Sequence, residues 1–310
     1  MSDEYLWDRS GKPDPEIEAI ERTLAPLRYR HQPPASAGRS HLWQAAAAAV
    51  LLSAVALWQL QPPPAPATGW QVATVAGSTR IAGNQAAVSM SLHSGQSLQT
   101  GSDAQVSLQS DAMGKLDLGP DSELRAASTR ALTLDRGTLH AYIWARPGLF
   151  TVDTASAKAI DLGCEYTLNV DTAGNGLLRV STGWVAFQHG GHESFIPAGA
   201  QCRTSKRDGP GIPFYEDAPP ALQSAVDRQD IPTILAAARP LDAITLWHLL
   251  TRVPQAQRGP IFDRFQQLVQ LPPEVTRAAA IANDPATIDR CWNALNLENT
   301  DWWRGWERKW

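Results

Sequence analysis

An uncharged stretch of nineteen residues near the start of the chain constrains its fold more than any other feature. Residues 42–60 read LWQAAAAAVLLSAVALWQL. In a helix that rises about 1.5 Å per residue they would extend for roughly 28 Å, close to the hydrocarbon thickness of a bilayer. Trp43 and Trp58 lie near the two ends, where indole rings favour the membrane interface. The stretch is therefore predicted to be a single transmembrane helix.

Two other interpretations of residues 42–60 remain open. A buried, alanine-rich core helix would have a similar composition, although such a helix normally carries polar residues along one face. A cleaved signal peptide is the second alternative, because Ala65-Pro66-Ala67 imitates a cleavage site. However, the 41 residues before the stretch are more than a charged n-region usually contains, which favours an uncleaved anchor.

The basic residues on either side of this stretch predict its orientation. Four arginines lie close before it: Arg22, Arg28, Arg30 and Arg39. The first basic residue after it is Arg80. Because Lys and Arg are retained in the cytoplasm, the N-terminus is predicted to be cytoplasmic and residues 61–310 to lie across the membrane. The proline-rich residues 61–69 would form a stiff spacer that holds the next domain away from the lipid.

The segment before the predicted span, residues 1–41, contains two apolar clusters. Asp14 suits an N-cap and Pro15 suits the first helical position, so a helix is predicted to begin there. Its apolar residues recur at helical spacing: Ile17, Ile20, Leu24 and Leu27. The other cluster is Tyr5, Leu6 and Trp7. So short a segment cannot bury both clusters, which predicts ordering on a partner; a membrane-proximal tail without fixed structure is the alternative.

Beyond the spacer, residues 70–213 show short runs of alternating apolar and polar residues, punctuated by turn-forming residues. This pattern is typical of antiparallel strands, and we expect a mainly β domain, either a roll or a short solenoid. One spacing occurs twice, each time indicating a strand, a glycine turn and a strand: Leu132, Leu134, Gly137, Leu139 and Ala141 correspond to Leu178, Val180, Gly183, Val185 and Phe187. Both a true repeat and a general hairpin pattern would explain it.

The last part of the chain, residues 214–310, has helical periodicity interrupted by prolines, and we expect a separate α-helical module there. It ends in NTDWWRGWERKW, which brings four tryptophans together: Trp302, Trp303, Trp306 and Trp310. One interpretation is that these indoles dock onto the other helices. The other is an aromatic platform for a glycan or a partner protein.

Composition and motifs argue against several classes of function. The 27 Lys and Arg residues and 31 Asp and Glu residues give a net charge of −4, which does not favour binding to nucleic acid. The sequence has no nucleotide-binding loop, HExxH, CxxC or nucleophile elbow. His189 and His192 in HGGH lack a second pair of metal ligands. We therefore predict a protein that is not an enzyme, with no catalytic residue, cofactor or metal.

The first of two family resemblances lies in the N-terminal segment. YLWDRSGKPDPEIEAIERTL resembles the N-terminal helices of membrane-bound anti-sigma factors, which form a sigma-factor-binding domain. Zinc-containing members add a His-x3-Cys-x2-Cys motif, but the corresponding residues here, Thr23, Leu27 and Arg30, are not zinc ligands. The resemblance implies metal-free binding of a sigma factor through the two apolar clusters described above.

The second resemblance covers roughly residues 70–205. GKLDLGPDSELR, LTLDRGTLHAYI, FTVDTASAKAIDLGCEYTLNVD, LLRVSTGWVAFQ and IPAGAQ are similar, in order, to the segments of the FecR domain. Together with the N-terminal segment they imply a FecR-type regulator of the bacterial inner membrane, which relays a periplasmic signal to a cytoplasmic extracytoplasmic-function sigma factor. The helical end departs from the best-known FecR plan, so its receptor partnership is not implied. The alternative is an envelope-anchored binding or scaffold protein that recognises a glycan or an envelope protein.

Two cysteines stand out within this FecR-like region. Cys164 replaces the threonine usual in the family's LGT segment, and Cys202 follows the last strand. In an oxidising periplasm a Cys164–Cys202 disulfide would contribute about 3–4 kcal/mol to stability. Two separate buried thiols are the alternative, because Cys164 shares a strand face with Tyr166 and Leu168. Cys291 is expected to be a lone buried residue.

Overall fold

A computed structural model describes residues 15–27 and 69–297 of the chain. The chain forms two compact units, Met1–Pro63 and Pro64–Trp310. In the first unit, helix α1 (Pro15–Leu24) leads into a 3-10 turn (Ala25–Leu27). Within the described ranges no helix is long and apolar enough to cross a membrane, and the predicted span, residues 42–60, lies outside them.

The described part of the second unit begins with eighteen strands, most of them short. They are β1 (Trp70–Ala76), β2 (Thr79–Ile81), β3 (Asn84–Gln85), β4 (Ser91–Leu92), β5 (Ser97–Thr100), β6 (Gln105–Ser110), β7 (Gly114–Leu118), β8 (Glu123–Ala126), β9 (Ala131–Ile143), β10 (Thr151–Asp153), β11 (Lys158–Asp161), β12 (Glu165–Val170), β13 (Gly176–Thr182), β14 (Trp184–His189), β15 (His192–Pro197), β16 (Ala200–Ser205), β17 (Gly209–Pro210) and β18 (Phe214–Tyr215).

These strands form two sheets that share β9. Sheet A has the order β4-β1-β6-β7-β9-β12-β13-β16, with β17 and β18 both paired to β16. Sheet B has the order β3-β2-β5-β8-β9-β10-β11-β14-β15. Apart from the parallel pair β9–β10, the described pairings are antiparallel. The prediction of a mainly β region followed by helices is confirmed.

The twice-used sequence spacing marks two crossings between the sheets. In β9, Arg136 pairs with β8 in sheet B, whereas Gly137 pairs with β12 in sheet A. The first crossing thus leads from sheet B to sheet A. At Gly183 the chain crosses in the opposite direction, from β13 in sheet A to β14 in sheet B. Both glycines have a positive φ. At Gly137 an added Cβ would lie 2.2 Å from Ser122 Oγ, and at Gly183 it would lie 2.0 Å from the Gly163 carbonyl oxygen. The first copy is one continuous strand, which corrects the expectation of a turn there.

Short helices complete the second unit. They are α2 (Pro220–Arg228), α3 (Ile231–Ala237), a 3-10 turn (Pro240–Asp242), α4 (Ala243–Arg252), α5 (Gln255–Leu268), α6 (Arg277–Ile281) and α7 (Pro285–Ala294). Proline occupies an early position in α2, α3 and α7, where the missing N–H has no helical acceptor in any case. Asp230 and Asp284 cap α3 and α7 by accepting the backbone N–H of the third helical residue.

A cluster of aromatic rings joins these helices to sheet B. Trp292 on α7 lies 4.7 Å from Trp247 on α4, 6.0 Å from Trp184 on β14 and 5.6 Å from Phe195 on β15, measured between ring centroids. The Trp247 indole donates a hydrogen bond to the Ile288 carbonyl at 3.1 Å. Strands and helices thus share one hydrophobic core, and the predicted boundary between residues 213 and 214 lies inside a single compact unit, immediately before β18.

Helix α4 also covers β15, the last strand of sheet B in the described chain. His248 and Arg252 lie one helical turn apart on α4. The His248 Nε2–H donates to the Phe195 carbonyl at 3.2 Å, and Arg252 donates to the Glu193 carbonyl at 2.7 Å. Side chains of the helix therefore satisfy backbone acceptors on alternate residues of the strand, which protects this edge from pairing with another chain.

Candidate functional sites

The first candidate site is the apolar side of α1. Ile20 is 58% exposed and Leu24 is 52% exposed, and their spacing of four residues places them on the same side of the helix. Ile17 belongs to the same helix and Leu27 ends the 3-10 turn. Exposed apolar residues at this spacing are typical of a helix that binds a groove on a partner. The other predicted sigma-binding residues, Tyr5, Leu6 and Trp7, lie outside the described residues.

Two further predicted features have different outcomes. The tryptophans of the predicted platform, Trp302, Trp303, Trp306 and Trp310, also lie outside the described residues, so the platform stays a prediction. His189 and His192 are described and face each other across the β14–β15 hairpin. No group of three or more metal-ligating side chains occurs within residues 15–27 and 69–297.

The predicted Cys164–Cys202 disulfide is not formed. Both thiols are free and buried, as is that of Cys291. Cys202 opposes Leu178, which in turn opposes Leu168, so Cys202 lies two strands away from β12. Cys164 precedes Leu168 by four residues, which gives a Cα separation of roughly 16 Å from strand spacing and rise. A disulfide requires a separation below about 7 Å. The alternative, separate buried thiols, describes the structure.

Thiol labelling tests this correction. Denatured protein that has never been reduced is expected to react at three thiols, the same number as a reduced control. In the native state we expect little reaction at pH 8, because burial raises the pKa of Cys202 and of Cys291 to about 11 and that of Cys164 well above its usual value. A count of one thiol in the unreduced, denatured protein would show that the disulfide does form.

A buried carboxyl group, which the sequence did not single out, lies where the chain leaves β11. Asp161 is 1% exposed; its Oδ1 accepts the Gly163 N–H at 2.9 Å and its Oδ2 accepts the Cys164 thiol at 2.5 Å. No cation of the described residues pairs with it. Burial therefore raises the pKa of Asp161 to about 7. The nearby Tyr166 hydroxyl is buried and has no hydrogen-bond partner among the described residues.

The second candidate site is a groove of about 660 Å³ between the end of sheet A and the helices. Strands β16 and β17 form one side, and residues of α2 to α5 form the other. The lining residues are His192, Arg203, Thr204, Ser205, Asp208, Gly209, Pro210, Gly211, Ile212, Phe214, Val226, Asp227, Gln229, Ile231, Leu249, Arg252, Val253, Pro254 and Gln257. Nine of these nineteen residues are polar or charged, and the other ten are apolar residues or glycines. A concave surface that combines apolar and polar groups can hold a small ligand.

Arg252 is the polar centre of this groove wall. Its Nη1 donates to the carbonyls of Pro210 and Gly211, both at 2.8 Å. Its Nη2 donates to the Glu193 carbonyl at 2.7 Å and to Ser194 Oγ at 2.5 Å. All four acceptors are neutral, and burial lowers the pKa of the guanidinium. Sequence reasoning missed this residue because its partners are mostly backbone carbonyls, which leave no pattern in the sequence.

Comparison with known proteins gives weak similarities to solved structures. No family model and no curated protein matches the chain. Two crystal structures of proteins from Parabacteroides distasonis, both described as candidate anti-sigma factors, each have a TM-score of 0.35 to this chain. The first shares 13% identity and the alignment covers 46% of this chain and 73% of that protein. The second shares 15% identity, with coverages of 58% and 79%. These values do not extend the function of either protein to this chain.

Proposed function

We propose that this protein is a single-pass membrane regulator that relays an envelope signal to an extracytoplasmic-function sigma factor. Residues 1–41 bind the sigma factor in the cytoplasm, residues 42–60 cross the bacterial inner membrane, and the unit Pro64–Trp310 faces the periplasm. The observation that carries the proposal is the exposure of Ile20 and Leu24 on one side of α1.

The physical chemistry of α1 supports binding to a partner. A helix of ten residues is not stable by itself in water, so it needs a surface against which to pack. Burying Ile20 and Leu24 on a partner would contribute roughly 1.5–3 kcal/mol for each side chain. Acidic residues in the first turn, Glu16 and Glu18, complement the helix dipole, which favours the helical conformation without using its apolar side.

The second unit is suited to be the part of such a regulator that receives the signal. Its FecR-like segments cover β7 to β16 in order, and its chain passes repeatedly between two sheets. Antiparallel pairing between neighbouring strands favours a roll over a short solenoid, whose successive coils would pair in parallel. We assign the unit the role of responding to a periplasmic signal.

Binding to sigma factors tests the proposal directly. Full-length protein in detergent micelles is used to capture the extracytoplasmic-function sigma factors encoded in the same genome. The double variant Ile20→Glu/Leu24→Glu is expected to weaken capture at least about ten-fold, because two apolar contacts are replaced by charges. The matched control is Glu21→Gln on the same helix, which leaves the apolar side intact.

Either of two results would contradict the proposal. One is that no sigma factor is captured by the unmodified protein. The other is that the double variant captures a sigma factor as well as the Glu21→Gln control does, which would place the binding surface elsewhere.

A further inference from the structure

We infer that the groove beside Arg252 binds a small organic monocarboxylate with an apolar body. The groove lies wholly within the unit Pro64–Trp310, among described residues of β16, β17 and helices α2 to α5. Its volume of about 660 Å³ falls in the range of small-ligand sites. The ligand chemistry follows from the charges and the walls of the groove.

The charge of Arg252 is the first argument. Its guanidinium is held by four neutral acceptors, three of them backbone carbonyls, and no carboxylate of the described residues pairs with it. Buried charges in proteins are normally paired, because an unpaired charge keeps its desolvation cost. The hydrogen bonds fix the position of the guanidinium, and its positive charge remains for an anion.

The carboxylates of the groove are already engaged, which is the second argument. Asp227 pairs with Arg203 at 3.0 Å, and Asp208 pairs with Arg207 at 2.9 Å. Neither is therefore the counter-ion of Arg252. One uncompensated positive charge matches a monoanion such as a carboxylate better than a phosphate, which carries nearly two negative charges at neutral pH.

The wall of the groove defines the rest of the ligand. Phe214, Leu249 and Val226 are buried beneath it, and the half-buried residues Ile212 and Val253 are packed against the same core. A surface of this kind favours an alkyl or aromatic body over a sugar, because hydroxyl groups would lose water there without gaining a partner.

Polar side chains at the rim would orient the carboxylate. His192, Gln229 and Gln257 are exposed lining residues, and their side chains make no hydrogen bond within the part of the chain that the structure describes. Each has an N–H group to donate. The arrangement therefore offers one fixed cation and several adjustable donors, as a carboxylate site requires.

A titration of the unit Pro64–Trp310 tests this inference, since that unit contains the whole groove and its own core. The probes are straight-chain carboxylates from butanoate to decanoate, and the matched control ligands are the corresponding primary amides. We expect saturable binding by calorimetry, with carboxylates about ten-fold tighter than the amides because the amides lack the charge. No saturable binding across the series, or equal affinity for acid and amide, would overturn the inference.

Three variants locate the binding. Gln257→Trp places an indole in the groove and is expected to abolish binding, whereas Gln266→Trp, on an exposed position of the same helix outside the groove, is not. Arg252→Gln is expected to lose the preference for acid over amide, with its fold checked by circular dichroism. If Arg252→Gln does not fold, the comparison of Gln257→Trp with Gln266→Trp still shows whether the ligand binds in this groove. Equal binding by both tryptophan variants would exclude this groove. The capture of a sigma factor tests the surface of α1, whereas the titration tests the groove. The proposed function and the carboxylate site can therefore fail separately.

Discussion

Replacing Trp247 by alanine is expected to lower the free energy of unfolding of the unit Pro64–Trp310 by about 3–5 kcal/mol. Trp247 is 1% exposed, its ring lies against Trp292, and its indole N–H donates to the Ile288 carbonyl. The substitution leaves a large cavity where helices α4 and α7 meet sheet B, and it removes the hydrogen bond from the indole to that carbonyl. Because whole domains are stable by about 5–15 kcal/mol, the loss is a large fraction of the total.

Urea unfolding monitored by far-ultraviolet circular dichroism would measure this effect, with Trp144→Ala as the matched control. Trp144 is also a tryptophan next to a strand, but it is 47% exposed and packs on Tyr142 at the surface. Its loss is expected to cost about 1 kcal/mol or less. If the two variants were equally stable, the helices would not share a core with the strands as the structure describes.

The sequence predicted those helices and strands in which one face is buried and the other faces water. Strand β12 is such an element, because it buries Tyr166, Leu168 and Val170 on alternate positions. Helix α1 was predicted for a different reason, since its capping pattern indicated a start at Pro15. Alternation fails where both faces are covered. In β14, four successive residues from Trp184 to Phe187 are buried, because the helices pack over the face that would otherwise meet water.

The same reason explains what was missed in the helices. Leu246, Leu249 and Leu250 recur at helical spacing in α4, in agreement with the helical periodicity predicted for residues 214–310, and they are buried. However, Trp247 and His248 on the remaining sides are buried as well, because α4 lies between sheet B and its neighbouring helices. Periodicity alone describes a helix with one covered face, so it predicted a separate helical module rather than a shared core.

Candidate sites were harder to predict because they depend on register and on backbone groups. The spacing between Cys164 and Cys202 fixes the length of a loop but not the number of strands between them. The acceptors of Arg252 are three carbonyls and one hydroxyl from two separate segments, one in β15 and one at the end of β17. Asp161 is followed by Leu162 and Gly163 in a segment typical of the FecR domain, and nothing in that segment indicates that the carboxyl group is enclosed.

The stability of the unit Pro64–Trp310 is expected to depend on pH through two buried groups that act in opposite directions. The pKa of Asp161 is raised by burial from 3.8 to about 7, so the folded state holds a proton that the unfolded state releases. Its contribution is fully present below about pH 4 and is lost as the pH rises through about 7. A shift of this size is worth on the order of 4 kcal/mol.

His248 has the opposite sign. Burial, together with the charge of Arg252, lowers its pKa well below 6.5, and within residues 15–27 and 69–297 no acceptor lies at its Nδ1 to receive a second N–H. Its contribution is present above pH 6.5 and is lost as the pH falls below that value, because the unfolded state then binds a proton that the folded state excludes. The two dependences overlap and partly cancel between about pH 4 and 6.5 in the unmodified protein.

Separate substitutions should therefore reveal each dependence. In Asp161→Asn, urea unfolding at a series of pH values is expected to show stability that falls only toward acid, and a higher stability than the unmodified protein at pH 8. In His248→Gln, stability is expected to fall as the pH rises from about 4 to 7. Asp153→Asn, an exposed carboxyl paired with Lys158, is the matched control and should keep the profile of the unmodified protein. If Asp161→Asn kept that profile as well, the Asp161 carboxyl group would be ionised in the folded state. The burial of this group beside Cys164 would then not exist in solution.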